Sequence, residues 1–245
     1  MLNKFDFLNS TEVDQFIVFL RKKIFSSASQ IQQYLDDYKW PENKNGLNFE
    51  QTFEKVVSLR AGLKSALNSH DADQAFDICC EILRWGGVGV ATPNIKKLKE
   101  IRSKRNFIST LQEARIFIQS YIIANENFHL PMNSGFSKIY TLLDEQFIIY
   151  DSRVAAQLCS LIKQCFNDNP KNFKLGKCAY QAKVNRDPGK GFPILTGKPK
   201  KYFESNIKAA WILQRLADEH NLLEFTTDKM IFAYQTALFV EGKTL

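Results

Sequence analysis

Long apolar runs, paired cysteines and strand-like alternation are what this sequence lacks. No apolar run in its 245 residues approaches the ~20 needed to cross a bilayer, so no membrane-spanning helix is expected. The five cysteines (Cys79, Cys80, Cys159, Cys165, Cys178) form no C-x-x-C pair and are odd in number. The opening MLNKFDFLNSTEVD carries acids and no small-residue cleavage site, so it does not read as a signal peptide. The thiols are therefore expected to be reduced, in a cytoplasmic protein. The three histidines (His70, His129, His220) are scattered, which argues against a metal centre. WGGVGV at 85–90 lacks the third glycine of G-x-G-x-x-G, follows no strand and precedes no Lys-Ser/Thr. It reads as a helix C-cap and tight turn with Trp85 in the core, and no cofactor is expected.

What is present is helical spacing. Hydrophobic residues make up 44% and charged residues 24%, ordinary for a globular chain able to bury one large core or two small ones. Val13, Ile17, Leu20 and Ile24 recur on one helical face behind a capping box read at Thr11 and Asp14. Ile31, Leu35 and Tyr38 continue the pattern up to the KWPENKNG break, and Phe49, Phe53, Val56 and Leu63 mark a further helix. Phe76, Cys79, Cys80 and Leu83 mark the next, which the WGG turn should stop. Thr92-Pro93 reads as a cap and first helical residue. Helices are expected over about 93–105, 109–124, from Ser137, from Ser152, and in SNIKAAWILQRLADEH and TTDKMIFAYQTALFV. FIIY at 147–150 is short enough to be a buried extended connection. The expected fold is all-α, a multi-helix bundle of about nine or ten helices.

Charge is unevenly placed. The formal net charge is +7 and the pI about 9.1, which favours a polyanionic partner. Residues 171–201 hold nine basic residues, among them Lys198, Lys200 and Lys201, against the single acid Asp187. With its Pro and Gly breaks, 167–201 reads as a long basic loop. A smaller cluster comprises Lys96, Lys97, Lys99, Arg102, Lys104 and Arg105.

Two constellations could carry chemistry. Arg215 and His220 stand five positions apart on an expected helix, a spacing found in HEPN-type ribonucleases and also in any solvated helix end. SKIYTLLDEQFIIYDSRV, 137–154, is more specific: Lys138 opens an amphipathic run and Asp151 follows an apolar one. A charge bordering apolar segments is expensive unless solvated, paired or used. Ser134-Gly135-Phe136-Ser137 ahead of it reads as a small-residue turn between helices, able to aim backbone N–H groups at a phosphate. Asp151 reads as an N-cap that could also face a cleft.

LPMNSGFSKIYTLL followed by FIIYDSRVAAQL is similar to the helix-hairpin-helix DNA glycosylases, the endonuclease III and 8-oxoguanine glycosylase superfamily. WGGV and the closing AAWILQ and ALF helices look most like a bacterial branch with an 8-oxoguanine-glycosylase-like fold. The resemblance implies a single glycosylase-like unit of 1–245 with a cleft between two lobes, acting on DNA. Lys138 would be the catalytic lysine, Asp151 the catalytic aspartate, and Ser134, Gly135, Phe136 and Ser137 the hairpin that holds phosphates with Lys198, Lys200 and Lys201. The implied activity is excision of a damaged or modified, 8-oxoguanine-like base, with AP-lyase cleavage. Ser134 and Phe136 stand where the family prefers Gly, and Arg153 where many members have His. The alternatives are a non-catalytic DNA-binding module of a repair or defence system, and the HEPN-type ribonuclease.

Overall fold

Apolar residues occupy every side of the segment Thr227–Glu241, and a helix of that kind is stable only when surrounded by protein. In the computed structural model, which describes residues 2–42, 45–87, 93–104, 106–120, 122–123, 128–166 and 199–243, it is the innermost element. Met230 to Phe239 are buried without a break. Eleven helices are present among the described residues: α1 (Lys4–Leu8), α2 (Thr11–Lys23), α3 (Ala28–Asp36), α4 (Phe49–Asn68), α5 (Ala72–Trp85), α6 (Pro93–Ser103), α7 (Phe107–Gln119), α8 (Ser134–Thr141), α9 (Ser152–Cys165), α10 (Pro199–Glu219) and α11 (Thr227–Glu241). Around α11 stand α3, α4, α9 and α10. On the far side of α4, α5 carries α6, α7 and α8. One hydrophobic cluster runs through all of them, from Phe7 to Phe239.

The all-α expectation holds, with local corrections. The short α1 has too few residues to show a period, and it is the helix added to the expected set. Ser10, not Thr11, precedes α2, and no capping box forms there. The Ser10 hydroxyl instead donates to the Phe7 carbonyl at 2.8 Å. The capping box of this protein is at Asn48 and Gln51, at the start of α4. α7 ends at Gln119 rather than near 124, and Ile122–Ile123 (β2) pairs antiparallel with Leu2–Asn3 (β1). The WGG turn ends α5 as expected, with Gly86 as C-cap and Gly87 at φ +73°, the left-handed region where glycine carries no steric penalty.

The expected basic loop is shortened at its far end. Pro199 begins α10, so Lys200 and Lys201 sit in its first turn rather than in a loop. Lys198 and the rest of 167–198 lie outside the described residues, as do Cys178, Thr92 and Arg105.

The 147–150 segment is buried and non-helical, so its backbone donors need partners inside the protein. The Ile149 N–H finds one in Gln235 Oε1 of α11, at 2.7 Å. Tyr202 of α10 donates its hydroxyl to the Tyr150 carbonyl. These two bonds hold the segment between α10 and α11. Gln235→Leu keeps the side-chain size but removes an acceptor from a buried N–H, and should destabilise by about 1–3 kcal/mol. Denaturant unfolding measures the loss, and faster hydrogen exchange at the Ile149 amide should accompany it.

Candidate functional site

Helix α8 is short, and its start is fixed by side chains. Asn133 caps it, its Oδ1 accepting from the Gly135 and Phe136 N–H groups at 2.9 and 3.1 Å. The Ser137 N–H donates to the Asn133 carbonyl at 2.9 Å. Residues 134–137 are thus the first turn of a helix, not a turn between helices. Three of the backbone donors expected to face a phosphate are taken up internally. The Asn133 amide also donates to Asn94 Oδ1 of α6 at 2.8 Å. A Cβ at position 135 would stand 2.3 Å from Asn94 Nδ2, so glycine there answers to α6. Gly135, Phe136 and Ser137 are buried.

Lys138 follows on this helix and points inward. It is 6% exposed, which overturns the reading of a solvated helix lysine. Its Nζ donates to the Ser134 carbonyl at 3.1 Å. Its stem lies across the end of α5, where a Cβ on Gly86 would come within 2.3 Å of Lys138 Cδ and 2.5 Å of Cε. The WGG turn is therefore a cap and also the floor on which the lysine lies. Burial pushes the Lys138 amine below its ordinary pKa, and the nearby Asp151 carboxylate opposes the shift.

Asp151 is the N-cap of α9, as expected. A single oxygen, Oδ1, accepts from the Arg153 and Val154 N–H groups, at 2.9 and 3.1 Å. Lys138 and Asp151 line one cavity, and among the described residues no ion pair within 4.0 Å joins them. The lysine and the aspartate thus share a space and a field without closing on each other.

Tyr38, Trp40, Trp85, Phe232 and Phe239 make the aromatic part of the wall, and Ile149, Val154, Gln235 and Thr236 complete it. Trp40 Nε1 donates to the Trp85 carbonyl at 2.8 Å and meets Phe239 edge-on, with centroids 5.5 Å apart. The Arg153 guanidinium lies 4.6 Å from the Phe239 ring centre and pairs with Glu42, so it buttresses the wall from outside. Two polar atoms of the lining residues, Trp85 Nε1 and Thr236 Oγ1, are buried without a hydrogen-bond partner. The cavity itself is narrow, about 30 Å³, room for a water or two.

Trp85, Thr236 and Phe239 fit a core pattern and Trp40 stands in the KWPENKNG break, so nothing in the sequence marks them as lining a site. Only the adjacency of WGG to an unpaired lysine could have signalled them, and that adjacency is tertiary. Lys200 and Lys201 do not line the cavity. The second basic cluster is partly neutralised: Lys97 and Lys104 converge on Glu100 at 2.9 and 2.8 Å, and Arg102 pairs with Asp73. Among the described residues no group of three metal-ligating side chains converges, and no helix is long and apolar enough to cross a membrane.

A buried amine with a lowered pKa binds fewer protons folded than unfolded, so its burden on stability is full at low pH. The burden lifts as pH rises through the folded pKa toward the ordinary lysine range. Lys138→Met should therefore stabilise at neutral pH. It should also remove part of the rise in stability on the alkaline side. Urea unfolding of both proteins between neutral and alkaline pH measures the two effects.

No protein-family model, curated protein or solved structure matches this chain, so what the cavity does is read from its own residues.

Proposed function

We propose that the chain is a DNA glycosylase with AP-lyase activity, excising a damaged or modified, 8-oxoguanine-like base. The observation that carries this is the pair itself: a desolvated Lys138 amine and the Asp151 carboxylate face one aromatic-walled cavity. Burial favours the neutral amine, the form that can act as nucleophile. The amine would attack C1′ of the flipped nucleotide, and the base would leave with the electrons of the glycosidic bond. The sugar ring would then open to an imine on Lys138. Asp151, anchored through Oδ1, would present its other oxygen to the positive charge that develops on the sugar. Tyr38, Trp40, Trp85 and Phe239 would offer stacking faces to the extruded base. A base is larger than the present cavity, so its walls must part to admit one. Lys200 and Lys201, in the first turn of a helix that has no acid there, would meet the DNA backbone together with Lys198.

The narrowness of the cavity and the occupied donors of 134–137 favour a second reading, a DNA-binding module without catalysis. The ribonuclease reading draws no such support. Arg215 binds Asp14 at 2.6 Å and the Leu8 carbonyl at 2.5 Å. His220 Nε2 lies 2.7 Å from the Phe25 carbonyl, so both side chains tie α10 to the N-terminal helices.

Borohydride trapping on a panel of single-lesion duplexes separates the first two readings. The wild type should form a covalent adduct on an abasic or oxidised-purine duplex, and Lys138→Gln should form none while binding DNA almost normally. Trapping should rise with pH and level off below the ordinary lysine range, since the neutral amine is the reactive form. Asp151→Asn keeps the cap but loses the charge, and should slow base release by about 10²–10³. Absence of adduct and of base release on every lesion leaves the binding module. Lys198, Lys200 and Lys201 changed together to Glu should weaken duplex binding at all sequences alike and flatten its salt dependence. An unchanged slope in gel-shift titrations removes them from the interface.

A further inference from the structure

A second and larger cleft, of about 550 Å³, opens at the other end of α8, between α4, α7 and residues 142–146. Arg60 and Lys64 of α4 and Arg115 of α7 line it, together with Asp144, Glu145 and Asp228. The formal charges cancel, but the hydrogen-bonding capacities do not. Asp144 is occupied on both oxygens, by the Gln146 N–H at 2.9 Å and by Gln119 Nε2 at 3.0 Å. Asp228 accepts from the Thr226 hydroxyl at 2.6 Å. Glu145 is exposed.

The guanidinium groups are left over. Each offers five N–H donors in a rigid fork. Arg60 places one on the Thr141 carbonyl at 3.3 Å, and its Nη1 is 3.9 Å from Asp228, beyond hydrogen-bond reach. Arg115 donates to no acceptor among the described residues, although its Nε is sealed from solvent. Burial lowers the Arg60 pKa despite three surrounding carboxylates, as expected of a cation without a close counter-ion. A buried donor of a charged group is costly to leave unmade. Two such forks, from α4 and α7, line one cleft and together match a tetrahedral anion with several oxygens better than a carboxylate, which one fork would satisfy.

We propose that this cleft is a phosphate-binding site, with Arg60 and Arg115 as the donors and Lys64 at its mouth. The phosphate is either that of a free phosphate ester, which the cleft has room for, or one of a nucleic-acid backbone. The site stands apart from Lys138 and Asp151, and its existence does not depend on their chemistry.

Calorimetric titration with inorganic phosphate and with a deoxynucleoside monophosphate, and anisotropy titration with a labelled duplex, test it on the full chain. Arg115→Gln is the informative variant, because Arg115 bonds nothing whose loss would unfold the protein, whereas Arg60 supports Thr141. For a free ester, the wild type should bind phosphate or nucleotide saturably, and Arg115→Gln should bind about tenfold more weakly or worse. Arg115→Lys should recover only part of this, since it restores charge without the fork. For a backbone phosphate, the free ligands should not saturate, and Arg115→Gln should weaken the duplex about tenfold and reduce the salt slope by about 1. Lys138 does not line this cleft, so Lys138→Gln should leave the inorganic-phosphate titration and the effect of Arg115→Gln on the duplex in place, and absent base excision and an absent phosphate site are read separately. Equal binding of every probe by wild type and Arg115→Gln, or saturation of the wild type by none, overturns the proposal.

Discussion

A lysine amine held out of water is the constraint around which this protein is arranged. Taking an ammonium into a protein interior costs several kcal/mol unless a partner compensates. Here compensation is partial: one carbonyl of its own helix at 3.1 Å and a carboxylate that acts through space. The surroundings explain why the arrangement persists. α8 is capped by Asn133 and fastened to α6 through Asn94, so the lysine cannot turn outward without undoing that junction. The 147–150 segment is pinned by Gln235 and Tyr202, which fixes where Asp151 must begin α9. Helix α11, buried without a break from Met230 to Phe239, supplies Gln235, Thr236 and Phe239 to the same cavity. Core packing and the candidate site are thus one structure, and parting the cavity walls to admit a base would move residues of the core itself.

Much of the architecture was legible because helices of this size declare themselves by apolar spacing. α4, α5, α9, α10 and α11 could be placed from the chain, and so could the glycine stop after Trp85 and the cap at Asp151. What could not be read depends on contacts distant in sequence. The capping box read at Thr11 and Asp14 does not form, because Ser10 precedes the helix and its hydroxyl goes to the Phe7 carbonyl, a property of the junction with α1. The small residues at 134–137 suggested a turn open to phosphate, yet the glycine at 135 answers to Asn94, some 40 residues away in the chain. Lys138 and Asp151 were found from their neighbours in sequence. The aromatic wall was not, since a tryptophan in a cavity and one in a core have the same local pattern.

The two ends of α8 serve different spaces. Lys138, whose amine reaches back to the Ser134 carbonyl of the first turn, lines the narrow aromatic cavity, while the last residue of the helix, Thr141, offers a carbonyl to Arg60 at the rim of the wider cleft. Leu142 and Leu143, directly after it, line that cleft. One rigid element of eight residues therefore spans from a cavity sized for water to an open cleft rich in unused guanidinium donors.

Gly86 has a consequence for how this chain can change over time. Its missing side chain is filled by the stem of Lys138, at a distance no methyl group could share. The two positions are therefore bound to each other across 52 residues of sequence, although neither is bonded to the other. A lineage that kept the lysine would have to displace its stem to take any side chain at 86. One that traded the lysine for a shorter residue would be released to drift there. In this chain the glycine records, in the end of a different helix, that a long buried side chain is still in place.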